Sequence, residues 1–249
     1  MGLINKDTFV CLDCETTGLD YEKDRIIEIA LVRFTFEGVL ESYETLIDPQ
    51  MPIPEASTAI HHITDEMVKG KPKIHEILPK IIQFVGRDII VGHGITTDIN
   101  FICSAAKQHN VPCKLASHPF LDTLRMARLY GESPINSLAV LRQHFNIADE
   151  GAHRAMSDVV VNIEVFKYLS HNYKTTEQLT NRLKSPIQLK KMPLGKHKGR
   201  SFSEIPVEYL RWAVNQNFDQ DLIFSLKTEL KKRNKGANFG QAANPFANL

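Results

Sequence analysis

Residues 8–18 read Thr8-Phe9-Val10-Cys11-Leu12-Asp13-Cys14-Glu15-Thr16-Thr17-Gly18. The first part of this stretch is an almost continuous apolar run, the pattern of a buried strand. It ends on two carboxylates two residues apart. Side chains alternate along a strand, so Asp13 and Glu15 leave it on the same face before the chain turns at Thr16-Thr17-Gly18. Two acids side by side among apolar neighbours repel each other and lose hydration. A bound divalent cation removes both costs; on this pair alone, a plainly solvated strand end explains them equally well.

Working outward, residues 26–36 are rich in Ile, Val and Phe, and residues 38–47 form their hairpin partner across Glu37-Gly38. A Pro-rich loop follows at residues 48–54. Helices are predicted from Thr64 and over residues 74–85, then a strand at residues 87–91 ended by Gly92-His93-Gly94. Residues 97–109, 122–130, 136–145 and 154–173 fit further helices, with a short strand near Phe120. Three antiparallel strands followed by alternating helices and strands predict an α/β fold, a mixed sheet flanked by helices on both faces.

The character changes near Ser185-Pro186. Residues 190–200 are basic and turn-rich, and residues 207–217 and 219–235 read as amphipathic helices. Residues 236–249 are rich in Ala, Asn and Gly and are expected to be a disordered tail. The predicted organisation is a large α/β domain at 1–175, a small basic helical module at 186–235, and the tail. The net charge of +1 conceals an asymmetry: residues 186–249 hold eleven Lys/Arg against five Asp/Glu, whereas the body is net acidic. A basic end on an acidic body suits an anionic partner gripped from the C-terminal side.

Composition excludes several classes. With 43% hydrophobic residues the chain can build a core, so wholesale disorder is ruled out. Apolar runs are short and interrupted by charge, which excludes a membrane span. Residues 1–7 lack the apolar stretch of a signal peptide, and four cysteines in 249 residues do not make a disulfide framework. The expected location is therefore the cytoplasm. Cys11 and Cys14 point to opposite strand faces, which a shared zinc cannot use; with Cys103 and Cys113 they are expected to be small buried apolar residues.

Two more acids sit where core residues belong. Asp98 shares a helical line with Phe101, Ile102 and Ala105, although an acid in a first turn also complements the helix dipole. Asp158 shares a stripe with Ala155, Val161 and Val165. His153, five positions earlier, would lie roughly 140° round an ideal helix, so it is expected to project from the loop after Gly151. Asp13, Glu15, Asp98 and Asp158 would together hold two divalent cations roughly 3.5–4 Å apart, the arrangement that clamps both oxygens of a phosphodiester displacement. Hard oxygen donors favour Mg²⁺ or Mn²⁺ over Zn²⁺. His153, with its ordinary pKa near working pH, would take the proton from the attacking water.

The stretch Asp13-Cys14-Glu15-Thr16-Thr17-Gly18-Leu19 resembles the first motif of the DnaQ-like 3′–5′ exonucleases, the family of the DNA polymerase III epsilon subunit. His93 with Asp98 and Phe101 resembles the second motif, and His153-Arg154-Ala155-Met156-Ser157-Asp158 the third, whose His marks the DEDDh branch. The resemblance implies an RNase H-like fold and release of nucleoside monophosphates from 3′ ends, with single-stranded DNA the favoured substrate. It implies that Asp13, Glu15 and Asp158 hold the first metal, that Asp13 bridges to a second, and that Asp98 assists. Thr16, Thr17 and Gly18 would contact the terminal nucleotide, and Ile60 and His61 would approach the last bases. The sequence departs from the family pattern at Gly94 and Thr97. Residues 192–202, with Pro206 and Tyr209 to Trp212, resemble the C-terminal module of the exonuclease X group. Lys196, Lys198 and Arg200 are its candidate phosphate contacts, and Trp212 is expected to be its core. A polymerase proofreading subunit, an exoribonuclease and an inactive end-binding module are the alternatives.

Overall fold

Strand β1 (Phe9–Thr16) lies at the centre of a five-stranded sheet in the computed structural model, which describes residues 3–133, 135–148 and 154–242, with side chains to residue 234. On one side β1 pairs antiparallel with β2 (Ile26–Thr35), and β2 with β3 (Gly38–Leu46). On the other side it runs parallel to β4 (Ile89–Gly92), which pairs parallel with β5 (Phe120–Asp122). The order is β3-β2-β1-β4-β5. The helices of this part are α1 (Glu55–His61), α2 (Asp65–Val68), α3 (Ile74–Val85), α4 (Thr96–Gln108), α5 (Thr123–Tyr130), α6 (Leu138–His144), α7 (Ala155–Ser170) and α8 (Thr176–Lys184). The mixed α/β sheet is the RNase H-like fold expected from the motifs.

Alternation along β1 sorts its side chains between two helical layers. Val10 and Leu12 pack with Ile29 and Leu31 of β2 and with the apolar faces of α3 and α4. Phe9 and Cys11 face α7: the Phe166 ring lies 4.9 Å from Phe9, and Asn162 Nδ2 donates to Cys11 Sγ at 3.5 Å. Continuing that parity, Asp13 and Glu15 leave on the α7 side. Pairing of β1 with β4 is registered only from Phe9 to Cys11, so the carboxyl-terminal half of β1 projects past its parallel neighbour. Open α/β sheets bind ligands at such an edge.

Helices α1 and α8 were not anticipated. Among the residues of α1 only His61 is buried, so the segment carries no apolar stripe to read. In α8 the signal is reduced to Leu179 and Leu183.

The chain divides into two compact units, Met1–Leu183 and Lys184–Leu249. The second contains α9 (Val207–Ala213) and α10 (Gln220–Ala242). Its core is built by Met192, Phe202, Ile205, Leu210, Ala213, Leu222 and Leu226. Trp212 is not part of that core: it is 52% exposed, and Phe202 and Leu210 fill the interior instead. Helix α10 continues to Ala242, past Gly236 where the tail was expected to begin; residues 243–249 lie outside the described residues. The basic segment is a tight reversal in which Met192 N–H donates to the Arg200 carbonyl and Gly199 N–H to that of Met192. Gly195 sits there at φ +71°, and a Cβ would come 3.0 Å from the Tyr209 hydroxyl, so both conformation and space require glycine. Among the described residues no helix is long and apolar enough to cross a membrane.

Candidate active site

The projecting end of β1 brings Asp13 and Glu15 beside Asp158, one turn into α7. Carboxylate oxygens of the three lie within 4.8 Å of one another. Asp98 arrives from the opposite helical layer, in the first turn of α4, and its Oδ1 accepts the Cys14 N–H at 3.0 Å. That amide lies beyond the last β1–β4 pair, so a carboxylate satisfies a donor that no strand reaches. The two helices that flank the sheet thus each deliver one acid to the same strand end.

Electrostatics follow from the placement. Burial, then repulsion from Asp98, Asp158 and Glu15, raises the Asp13 carboxyl well above its ordinary range. Glu15 is pushed up to about 7 by burial and by Asp158 and Glu28, with Arg154 opposing. Asp98 is also raised to about 7, chiefly by burial, against hydrogen bonds from its own helix and from Cys14. A set of half-buried, mutually repelling oxygens with raised pKa values suits a divalent cation, which would replace protons as the neutralising charge.

A second group of residues builds the frame. Glu28 of β2 stands opposite Glu15 in the β1–β2 register and is fully buried. It accepts from Arg154 Nε at 3.0 and 3.1 Å and from Arg154 Nη2, and it accepts the Ala155 N–H at 3.0 Å. Ala155 opens α7, so this carboxylate caps the helix that carries Asp158. Glu28 was not singled out from sequence, and Arg154 appeared there only as a member of the third motif. Asp122 does the same for the loop after β4, accepting from Gly94 and Leu124 at 2.9 Å each. His93 Nδ1 lies 3.0 Å from Thr123 Oγ1, which donates to Asn162 Oδ1 at 2.6 Å. Burial lowers the His93 pKa to about 4, so this ring is a neutral part of the scaffold near pH 7.

The remaining candidates fall into different places. His153 lies outside the described residues. Thr17 is 1% exposed, and its polar groups are spent within the fold: the amide donates to Arg25, the hydroxyl contacts Asp24 and Arg25, and the carbonyl accepts from Ser57. It therefore shapes the loop rather than facing a nucleotide. A Cβ at Gly18 would fall 2.4 Å from the Asp24 carboxylate, which the Thr17 hydroxyl and the Asp20 N–H hold, so a larger residue would have to displace that carboxylate. Thr16 donates to the Gly18 carbonyl at 2.6 Å. Ile60 is 62% exposed. His61 is buried; its Nδ1 accepts the Ile63 N–H at 3.0 Å, which leaves the proton on Nε2, and Nε2 has no hydrogen-bond partner among the described residues. Lys196, Lys198 and Arg200 are exposed on the second unit.

Comparison with known proteins follows the same division. A family model described as "Exonuclease" (RNase_T) matches residues 10–166. A second, described as a candidate quorum-sensing-regulated virulence factor, matches residues 180–230. The DNA polymerase III subunit epsilon of Aquifex aeolicus is 38% identical over 160 residues, covering 64% of this chain and 78% of that protein. The DNA polymerase III PolC-type protein of Clostridium perfringens is 33% identical over 195 residues, 76% of this chain, but the match spans 13% of that much longer protein. A solved chain of exonuclease X, in complex with 5′ overhanging duplex DNA, superposes with a TM-score of 0.56 at 23% identity, covering 70% of this chain and 98% of that one.

Proposed function

The chain belongs to the Exonuclease family, and from that premise we propose that it is a metal-dependent 3′–5′ exonuclease releasing nucleoside monophosphates from DNA. The convergence of Asp13, Glu15 and Asp158 within 4.8 Å carries this proposal. These residues, with Asp98, would hold divalent cations, Mg²⁺ or Mn²⁺. Cations bound there supply a Lewis acid for the phosphodiester and lower the pKa of bound water.

The chain itself supplies positioning and proton transfer. His153 is the proposed general base for the attacking water. Its neighbour Arg154 is tied to Glu28, which fixes the start of α7. Thr16 and Gly18 would meet the terminal nucleotide, and the exposed Ile60, with His61, would approach the last bases. Attack at phosphorus breaks the bond to the 3′ oxygen of the preceding nucleotide, which leaves protonated as the new 3′ end.

A 5′-labelled oligonucleotide incubated with Mg²⁺ should yield a descending ladder that EDTA abolishes. Absence of cleavage on single-stranded DNA, duplex DNA and RNA overturns the proposal. The names of the epsilon-subunit relatives favour a second reading, a proofreading exonuclease working beside a DNA polymerase, which co-purification would reveal. A preference for RNA in the substrate panel would instead assign an exoribonuclease. The four free thiols suit a reducing cytoplasm.

A further inference from the structure

The second unit presents an aromatic ladder beside a cluster of cations. His197, in the turn between Lys196 and Lys198, is buried and meets the Tyr209 ring edge-on at 4.4 Å. Tyr209 in turn lies 5.2 Å from the Trp212 ring, at 51°. Trp212 ends the ladder 52% exposed, although indole is among the side chains that gain most from burial. Lys196, Lys198 and Arg200 of the turn are exposed, as is Arg211 next to Trp212. The acids nearby are Glu204, which accepts the Ser201 N–H at 3.1 Å, and Glu208. Four cations against two acids leave the surface positive.

A rigid, backed, half-exposed indole among cations has the chemistry of single-strand recognition. An unpaired base stacks on the ring while the cations follow the backbone, and no particular base is required. A duplex keeps its bases stacked on each other and offers no free face. We propose that Trp212, supported by Tyr209 and His197, is a stacking platform for an unpaired nucleobase, and that residues 196–200 with Arg211 hold the adjoining phosphates. The second unit is then a single-strand binding site in its own right. This rests on the reading of the chain as a nuclease only in taking nucleic acid as the partner.

Trp212 is the single tryptophan of the chain, so emission excited in the indole band, beyond tyrosine absorption, reports on the platform alone. The full-length protein in EDTA is titrated with an oligothymidylate of about 16 nucleotides, within the range one binding module covers. Emission should be quenched saturably, with the midpoint given by the anisotropy of the same dye-labelled oligonucleotide, and a duplex of equal length should not quench it. Trp212→Ala should weaken binding by roughly fivefold or more, and Trp212→Phe, which keeps a stackable ring, should recover most of the loss. Exposure of the side chain lets both variants fold. Unchanged emission, or equal binding by Trp212→Ala, overturns the platform; a ladder with Mg²⁺ in the same preparation leaves the nuclease assignment standing. Quenching without any ladder does the reverse.

Discussion

Asp13 stands among three other acids, and the cost of that company separates its role in chemistry from its role in stability. In the metal-free protein the raised carboxyls of Asp13, Glu15 and Asp98 bind protons more tightly in the folded than in the unfolded chain. Between the unfolded carboxylate range near 4 and the folded values of about 7 for Glu15 and Asp98, stability contributed by these groups must fall as pH rises. Melting temperature measured in EDTA should therefore decline across that window relative to a Glu15→Gln variant, and Mg²⁺ should restore it most at the alkaline end. A Glu15→Gln profile that declines just as steeply removes Glu15 as a cause. Asp13→Asn should abolish nuclease activity yet raise the metal-free melting temperature, because it deletes a repelling charge without deleting volume. Inactivity accompanied by a large loss of stability would mean that Asp13 is part of the scaffold.

The start of α7 depends on one buried carboxylate from a different strand. Removing one partner of a charged hydrogen-bonded pair costs about 1.5–3 kcal/mol, and the figure is held down here because the Arg154 side chain is 39% exposed. Glu28→Gln should lower the urea unfolding free energy by that amount. It should also reduce kcat more than KM, since it displaces Asp158 at the start of α7 without touching a substrate contact. A full-rate variant would show that α7 is held by packing alone. This anchor also shows where sequence runs out. Asp13, Glu15, Asp98 and Asp158 were legible because each is an acid on an apolar periodicity, and β1 to β5 because their apolar runs are bounded by turns. Glu28 is equally misplaced, in Ile26-Ile27-Glu28-Ile29, but its partner is 126 residues away and local patterning says nothing of it. The buried links from Thr123 to Asn162 and from Asp122 to Gly94 were hidden for the same reason. Trp212 failed differently. Aromatic residues are usually core, and nothing local shows that Phe202 and Leu210 have already filled the interior.

Across the whole chain, charge is divided as a nuclease with a separate grip would need it. The first unit carries the acids proposed to hold cations and is net acidic, so it would gain little from a long polyanion beyond the few residues at its site. On this proposal the eleven Lys/Arg after residue 185 would supply the long-range affinity. Each phosphate neutralised on a single strand contributes a slope of about −0.7 to the dependence of log affinity on log salt. Ending the chain after Ser185 should weaken binding of long single strands and flatten that slope, while turnover at saturating substrate persists. Changing Lys196, Lys198 and Arg200 together to Ala should reproduce much of the loss in the full-length protein, by about two units of slope if all three meet phosphates. The core of the first unit, from Phe9 and Phe34 to Phe166, is drawn from residues before 185, so the shortened chain retains its packing. If it binds long strands as tightly and with the same slope, the second unit does not hold nucleic acid. Loss of solubility on truncation would then assign it a structural role, and intact solubility would leave its basic face to a protein partner.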